Sequence, residues 1–171
     1  MDTVEKYTTK YFGEVELAIE KDGHWADFVT MYNGQEITVS FSDYSIYGDK
    51  IKVCWEIIDK YILINEIAKK AIIENFPHKK GLVNYYFKCH FEDMLEDEEL
   101  IEIFGVKNFK KLDIQKTVDK MEYPNLDFYI EDNEITLYIG YRVSKEYFFD
   151  DTFLAVKMSK KLNVIGFSIL D

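Results

Sequence analysis

The stretch from Asp49 to Phe76, DKIKVCWEIIDKYILINEIAKKAIIENF, constrains the fold most. It contains neither glycine nor proline, and Pro77 follows it. Cys54, Ile57, Ile58, Tyr61, Ile64, Ile67, Ala68, Ala71 and Ile72 recur at steps of three and four, which puts them on one broad helical face. Lys52, Glu56, Lys60, Glu66, Lys70 and Glu74 fall mainly on the other side. Glu56–Lys60 and Glu66–Lys70 have the favourable i,i+4 order, worth roughly 0.2–0.5 kcal/mol each. Asp49 is placed to cap the start with its carboxylate. The ring of Pro77 disfavours helical backbone at Phe76, so the helix should end there. The spacing therefore predicts one long central helix over Asp49–Phe76. Leu63 falls on its polar side, which asks for cover from a second element or from a partner.

The flanking segments carry a different period. From Glu14, acidic side chains alternate with Val15, Leu17 and Ile19, which predicts a strand with one wet face within Tyr11–Glu20. His24–Tyr32 and Gln35–Phe41 flank Asn33-Gly34, a strong signal for a type I′ hairpin turn. Ser42–Gly48 connects this hairpin to the long helix. After it, Leu82–Leu95 reads as a second helix, with Val83, Tyr86, Phe87, His90 and Met94 near one face. Asp97–Phe104 reads as a third, closed by Gly105. Asp113–Met121 reads as a fourth. Tyr123-Pro124-Asn125 returns the chain to extended structure. Leu126–Ile130, Ile135–Val143, Thr152–Met158 and Val164–Leu170 are strand-like, with turns at Glu131-Asp132-Asn133 and Lys160–Asn163. Thr152–Met158 is apolar on both faces for part of its length, which places it inside the sheet. Strands, then helices, then strands is the α+β order. The expected fold is α+β: an antiparallel sheet from N- and C-terminal strands, packed on a central long helix with further short helices. No repeat or linker interrupts the 171 residues, so residues 1–171 read as one globular domain.

Charge narrows the class of partner. Thirty-two acidic against 21 basic residues give a formal net charge of −11. Such a surface repels nucleic-acid phosphates and anionic lipid and attracts cationic partners; it also keeps a protein soluble. No apolar run reaches the roughly 18 residues that a membrane span needs. The opening MDTVEKYTTKYFGEVEL lacks the basic start and apolar block of a signal peptide, so a cytoplasmic location is expected. Cys54 and Cys89 show no metal-type spacing and read as free, buried thiols.

No catalytic motif stands out. His24 sits at a turn, His78 in a loop, and His90 beside Cys89 on a helix. Adjacent Cys and His point about 100° apart on a helix, which argues against a zinc site from His78, Cys89 and His90. Both thiols therefore read as structural and the histidines as surface residues. The eight glycines form neither a dinucleotide fingerprint nor a phosphate loop, and no nucleophile elbow is present. No catalytic residue, metal or cofactor is implied. Two segments remain as candidate contact surfaces. Glu92, Asp93, Glu96, Asp97, Glu98 and Glu99 form an acidic run around a helix boundary, which also suits the positive end of a helix dipole. Glu146, Tyr147, Phe148, Phe149, Asp150 and Asp151 form an aromatic–acidic connection between two strands. Its rings either tuck into the core or form an interface hot spot with a polar rim.

The segments YFGEVEL, NGQEITVSF and ITLYIGYRV, with the closing DDTFLAVKMSKKLNVIGFSILD, resemble a family of small acidic bacterial α+β proteins of unassigned function. Leu154, Val156, Ile165 and Phe167-Ser168 carry the closing pattern. The build is similar to that of immunity proteins that neutralise bacterial toxins, and the resemblance brings no catalytic residue. Together with the charge, which favours a cationic protein partner over nucleic acid or membrane, it points to a non-catalytic, cytoplasmic protein-binding module, expected to be an immunity-type inhibitor. Glu92, Glu96, Glu99, Glu146, Tyr147, Phe148, Asp150 and Asp151 are the expected partner-binding residues. The alternative is an enzyme with a carboxylate- or cysteine-based site.

Overall fold

The computed structural model describes residues 3–19, 27–93, 97–143 and 152–170. It contains a hairpin of β1 (Thr3–Thr9) and β2 (Gly13–Ile19). A second hairpin, β3 (Phe28–Tyr32) and β4 (Gln35–Phe41), leads into the helical middle. The helices are α1 (Asp49–Ile58), α2 (Tyr61–Asn75), α3 (Leu82–Asp93), α4 (Asp97–Phe104) and α5 (Ile114–Lys120), with a 3-10 turn at Phe109–Lys111. Four strands close the chain: β5 (Glu122–Glu131), β6 (Glu134–Arg142), β7 (Phe153–Ser159) and β8 (Val164–Leu170). The fold is α+β, as the segregated order of periods implies.

The strands form a two-stranded sheet, β1-β2, and a six-stranded sheet in the order β3-β4-β5-β6-β7-β8. β3 and β4 do share one sheet with the C-terminal strands, but β2, expected there too, pairs with β1 in the separate small sheet, and the large sheet is not wholly antiparallel. β4 and β5 run parallel, with Val39 opposite Leu126 and Phe41 opposite Phe128. A parallel pair cannot be joined by a tight turn, and here the crossover is the whole helical middle. The two Asn-containing turns behave as their chemistry requires. Asn33 and Gly34 both take positive φ between β3 and β4, and Asp132 and Asn133 do so between β5 and β6. β7 lies inside the sheet, between β6 and β8. β1 was not legible in the sequence, because Thr3–Thr9 carries little apolar alternation.

The long helix is broken. The chain leaves helical pairing at Asp59-Lys60, where Lys60 N–H donates to Ile57 O in a tighter i−3 bond at 2.8 Å. There is no glycine or proline at this point. The Asp59 carboxylate instead accepts the backbone N–H of Lys10 at 2.7 Å, tying the β1–β2 hairpin to the break. Asp competes for backbone donors and is a weak helix former, so a tertiary contact overrides a continuous apolar period. The Glu56–Lys60 pair is lost with the helical register, and Lys70 reaches Glu74 at 3.7 Å. Gly48, not Asp49, occupies the N-cap, and Asp49 pairs with Lys52 at 2.8 Å. Phe76 keeps helical backbone, with its N–H on Ile72 O, because the proline restriction is a bias and this bond outweighs it.

The core sits between the sheet and α1–α3. One face of the sheet presents Val39, Leu126, Ile139 and Val156 in a single cross-strand row, all fully buried. Full burial of such a side chain stabilises by roughly 1.5–3 kcal/mol. Tyr141 on the same face donates its hydroxyl to Asn65 Oδ1 of α2 at 2.6 Å, which marks this as the helix side. α1 is buried on two sides because Trp55 stacks between Tyr7 of the hairpin, 4.3 Å away, and Phe28 of β3, 5.7 Å away. Leu63 stays exposed on α2.

Candidate functional site

Side chains alternate across a strand, so the residues between the core positions form the outer face of the sheet. Register places Ser40 beside Asp127, Asp127 beside Tyr138, and Tyr138 beside Lys157, one row across four strands. The next row holds Tyr129 and Thr136. These side chains are half-buried, apart from the well-covered Thr136, whereas the inner rows are fully buried. At the β3 margin the same face exposes Val29 and Met31, 61% and 57% open to solvent.

Asp127 is the centre of this face. Its Oδ1 accepts from Ser42 Oγ at 2.6 Å, and its Oδ2 accepts from Tyr129 Oη at 3.2 Å. Burial pushes its carboxyl above the usual range, the two hydroxyl donors work against that shift, and the nearby Asp27 charge adds to it. Ser42 is itself fixed, since its N–H donates to Phe128 O at 2.9 Å across the parallel joint. The next turn is set by Asp43, which accepts from Ser45 N and Oγ at 2.8 and 2.5 Å; these bonds hold its carboxyl below the usual range.

A second network adjoins the first. The rings of Tyr129 and Tyr138 meet edge-on, 5.3 Å apart. Tyr138 Oη donates to Glu131 Oε1 at 2.5 Å, and Lys157 pairs with the other oxygen of Glu131. The Lys157 hydrogen bond, with help from Tyr138, keeps the Glu131 carboxyl low. Lys160 pairs with Glu134. The carboxylates thus divide into two kinds. Glu131 and Glu134 have lysine partners, while Asp127, the more deeply placed, is met among the described residues only by hydroxyl donors. A desolvated carboxylate held by neutral donors favours an incoming cation, and the Tyr129 ring beside it adds cation–π surface, whereas Lys157 already stands over the Tyr138 ring, 5.6 Å from its centroid.

The expected site residues lie elsewhere or outside the described residues. Glu92 lies in the last turn of α3, is exposed, and pairs with Lys88 at 3.4 Å. Since α3 packs on β8, Glu92 belongs to the helical layer and not to the outer face. Glu99 lies within α4, and its side chain is not among those described. Glu96, Glu146, Tyr147, Phe148, Asp150 and Asp151 lie outside the described residues, as do His24 and Trp25.

The thiols and histidines also sort by burial. Cys54 is free and fully buried, and burial pushes its thiol up to about 12, far from a reactive thiolate. Cys89 is free but only half-buried, because it sits beside the core stripe of α3 and not on it. His90 corrects the surface reading: it is buried, with its ring edge-on to Tyr86 at 4.2 Å. Among the described residues no three His, Cys, Asp or Glu side chains converge as a metal site would require, and no helix is long and apolar enough to cross a membrane.

Compared with protein-family models, with curated proteins and with solved structures, the chain matches none.

Proposed function

We propose that this chain is a non-catalytic protein-binding module that holds a cationic protein partner on the outer face of its six-stranded sheet. The observation that carries the reading is Asp127: half-buried, flanked by tyrosine rings, and without a cation among the described residues. A lysine or arginine of the partner fits that place, and exposed Val29 and Met31 supply apolar contact two strands away on the same face. The net charge of −11 draws a basic partner from a distance, and the run from Glu92 to Glu99 adds to that field. The sequence resemblance to small acidic bacterial proteins supports a cytoplasmic, immunity-type inhibitor. Tyr147 and Phe148, in the stretch of sequence between β6 and β7, are the proposed aromatic anchors of the contact.

The test is capture from the native host on immobilised parent and on Asp127→Asn. The reading expects a basic protein that the parent retains at low salt, that the variant retains poorly, and that elutes as ionic strength shortens the Debye length from about 30 Å to about 3 Å. Equal retention by both proteins refutes it. One observation favours a second reading: the raised carboxyl of Asp127, 2.6 Å from a serine hydroxyl, also suits a general acid. A small-molecule turnover lost in Asp127→Asn, with no protein captured by the parent, would select that reading.

A further inference from the structure

The six-stranded sheet has two edges, and they are not alike. At one, Tyr11 and Phe12 of the β1–β2 turn pack edge-on against Tyr32 of β3, so the N-terminal hairpin lies against that margin. At the other, β8 pairs only with β7 among the described residues, which leaves one side of its backbone unpaired. Natural sheets protect such an edge with charge, proline, a bulge or a covering element. β8 reads VIGFSIL and holds neither charge nor proline, in a chain that carries 53 formally charged residues elsewhere. One bulge, at Ile165, blunts the start of the strand and leaves Ile165 55% exposed, while Gly166–Leu170 keep regular register with β7. α3, which packs on β8, exposes Leu82 and Tyr85.

The order of residues along β8 points to its occupant. Read outward from Phe167, the neighbours are Gly166 and Ser168, then Ile165 and Ile169, then Val164 and Leu170. The strand is a palindrome of side-chain class. Antiparallel pairing with an identical strand about Phe167 therefore sets Gly166 against Ser168 and Ile165 against Ile169; the bulge takes only Val164 out of this alternation. Cross-strand pairs of matched kind are the unit of sheet stabilisation. A cationic partner finds no charge here to attract it, whereas a second copy of an acidic chain meets the least repulsion where no charge stands.

We propose that β8 is the docking edge for a second copy of this chain, paired antiparallel about a two-fold axis at Phe167. The contact is isologous and closes at two copies. It joins the two sheets into one and leaves the outer face of each copy free. Two chains of like charge repel, so added salt strengthens this contact, while it weakens the binding of a cationic protein on the outer face. The two readings therefore fail separately.

Sedimentation equilibrium of the full chain across protein concentration is the test, run on the parent, on Ile165→Lys, and on Met31→Lys at the opposite margin. Both replaced side chains are exposed, so both variants should melt close to the parent. The expected result is a parent mass of twice 20.3 kDa. Ile165→Lys should return it to one copy, with the dissociation constant raised about tenfold or more, while Met31→Lys leaves the dimer intact. Hydrogen exchange should then slow at β8 amides of the parent relative to Ile165→Lys. A parent that stays at one copy at every concentration overturns the proposal. So does a dimer dissolved by Met31→Lys and not by Ile165→Lys, or a parent that grows into open-ended assemblies.

Discussion

Replacing Asp127 by Asn separates what the outer face does for the fold from what it does for a partner. The two side chains have the same shape. Ser42 Oγ keeps an acceptor in the amide carbonyl, and Tyr129 Oη can accept from the new N–H where it formerly donated. The hydrogen bonds are exchanged and not lost, so their net change stays within about 1 kcal/mol. The desolvated charge disappears, which acts in favour of folding because burial disfavours the ionised form. The variant should therefore melt level with the parent or slightly above it at neutral pH; in a domain of this size about 1 kcal/mol corresponds to about 2–4 °C. The pH dependence has a definite sign. Folded Asp127 titrates above its unfolded value, so its charge opposes folding at high pH. That opposition fades as pH falls through the folded pKa and is gone below the unfolded value of about 3.9. Any advantage of Asn over Asp should be largest near neutrality and vanish towards about pH 4.

Binding should move the other way. Removing one member of a desolvated charge pair costs about 2–5 kcal/mol, roughly 30-fold to several thousand-fold in affinity. Thermal melts between about pH 4 and pH 8, together with binding kinetics on the captured partner, read both effects. Stability kept while affinity falls is the mark of a residue retained for function at some expense to the fold. A melting point far below the parent would make Asp127 structural, and an unchanged affinity would remove the cation from this place; either result refutes the reasoning.

Three further outcomes are expected. Ile64→Asp puts a charge at a fully buried position on α2 and should cost several kcal/mol, read as a large drop in melting temperature. Alkylation of the native protein should modify Cys89 and spare Cys54 until the chain unfolds, which peptide mass mapping after a timed pulse would show. Replacing Glu92, Glu96 and Glu99 together by Gln should slow association with a cationic partner at low salt, where a Debye length of about 30 Å carries charge through to the outer face, and leave dissociation nearly unchanged; a slower association rate that is insensitive to salt would contradict this.

The sequence was most legible where one local rule decided the outcome. Asn33-Gly34 dictated a tight turn between two apolar alternations, and the bounds of β4, β8 and α4 follow directly from period and punctuation. It was least legible where distant contacts decided. Nothing between Ile57 and Tyr61 signals a break in the apolar stripe; the hydrogen bond from Lys10, 49 residues away, does. The candidate site shows the same division. Alternation in Asn125-Leu126-Asp127-Phe128-Tyr129 already turns Asp127 and Tyr129 to one side of a strand. Composition offered no reason to choose that carboxylate among 32 acidic residues. The missing information was register, which brings Ser42 from one end of the chain and Tyr138 from the next strand.

The location of Asp127 has a mechanical consequence. β4 and β5 form the one parallel joint of the six-stranded sheet, and every helix of the described residues lies between them in the chain. The strands before the helical middle and those after it meet in the large sheet only along this joint. Ser42 and Asp127, 85 residues apart, tie it on the outer face, while Phe41 stacks on Phe128 at 5.6 Å on the inner one. A loop of this length closes at an entropic cost that local contacts do not offset, so the joint depends on both halves being in place. A partner seated on Asp127 and Tyr129 would touch the C-terminal half, and through Val29 and Met31 the N-terminal half as well. Such a partner binds only the chain in which the joint is closed. It therefore stabilises the whole fold by mass action, in proportion to the logarithm of its concentration over its dissociation constant.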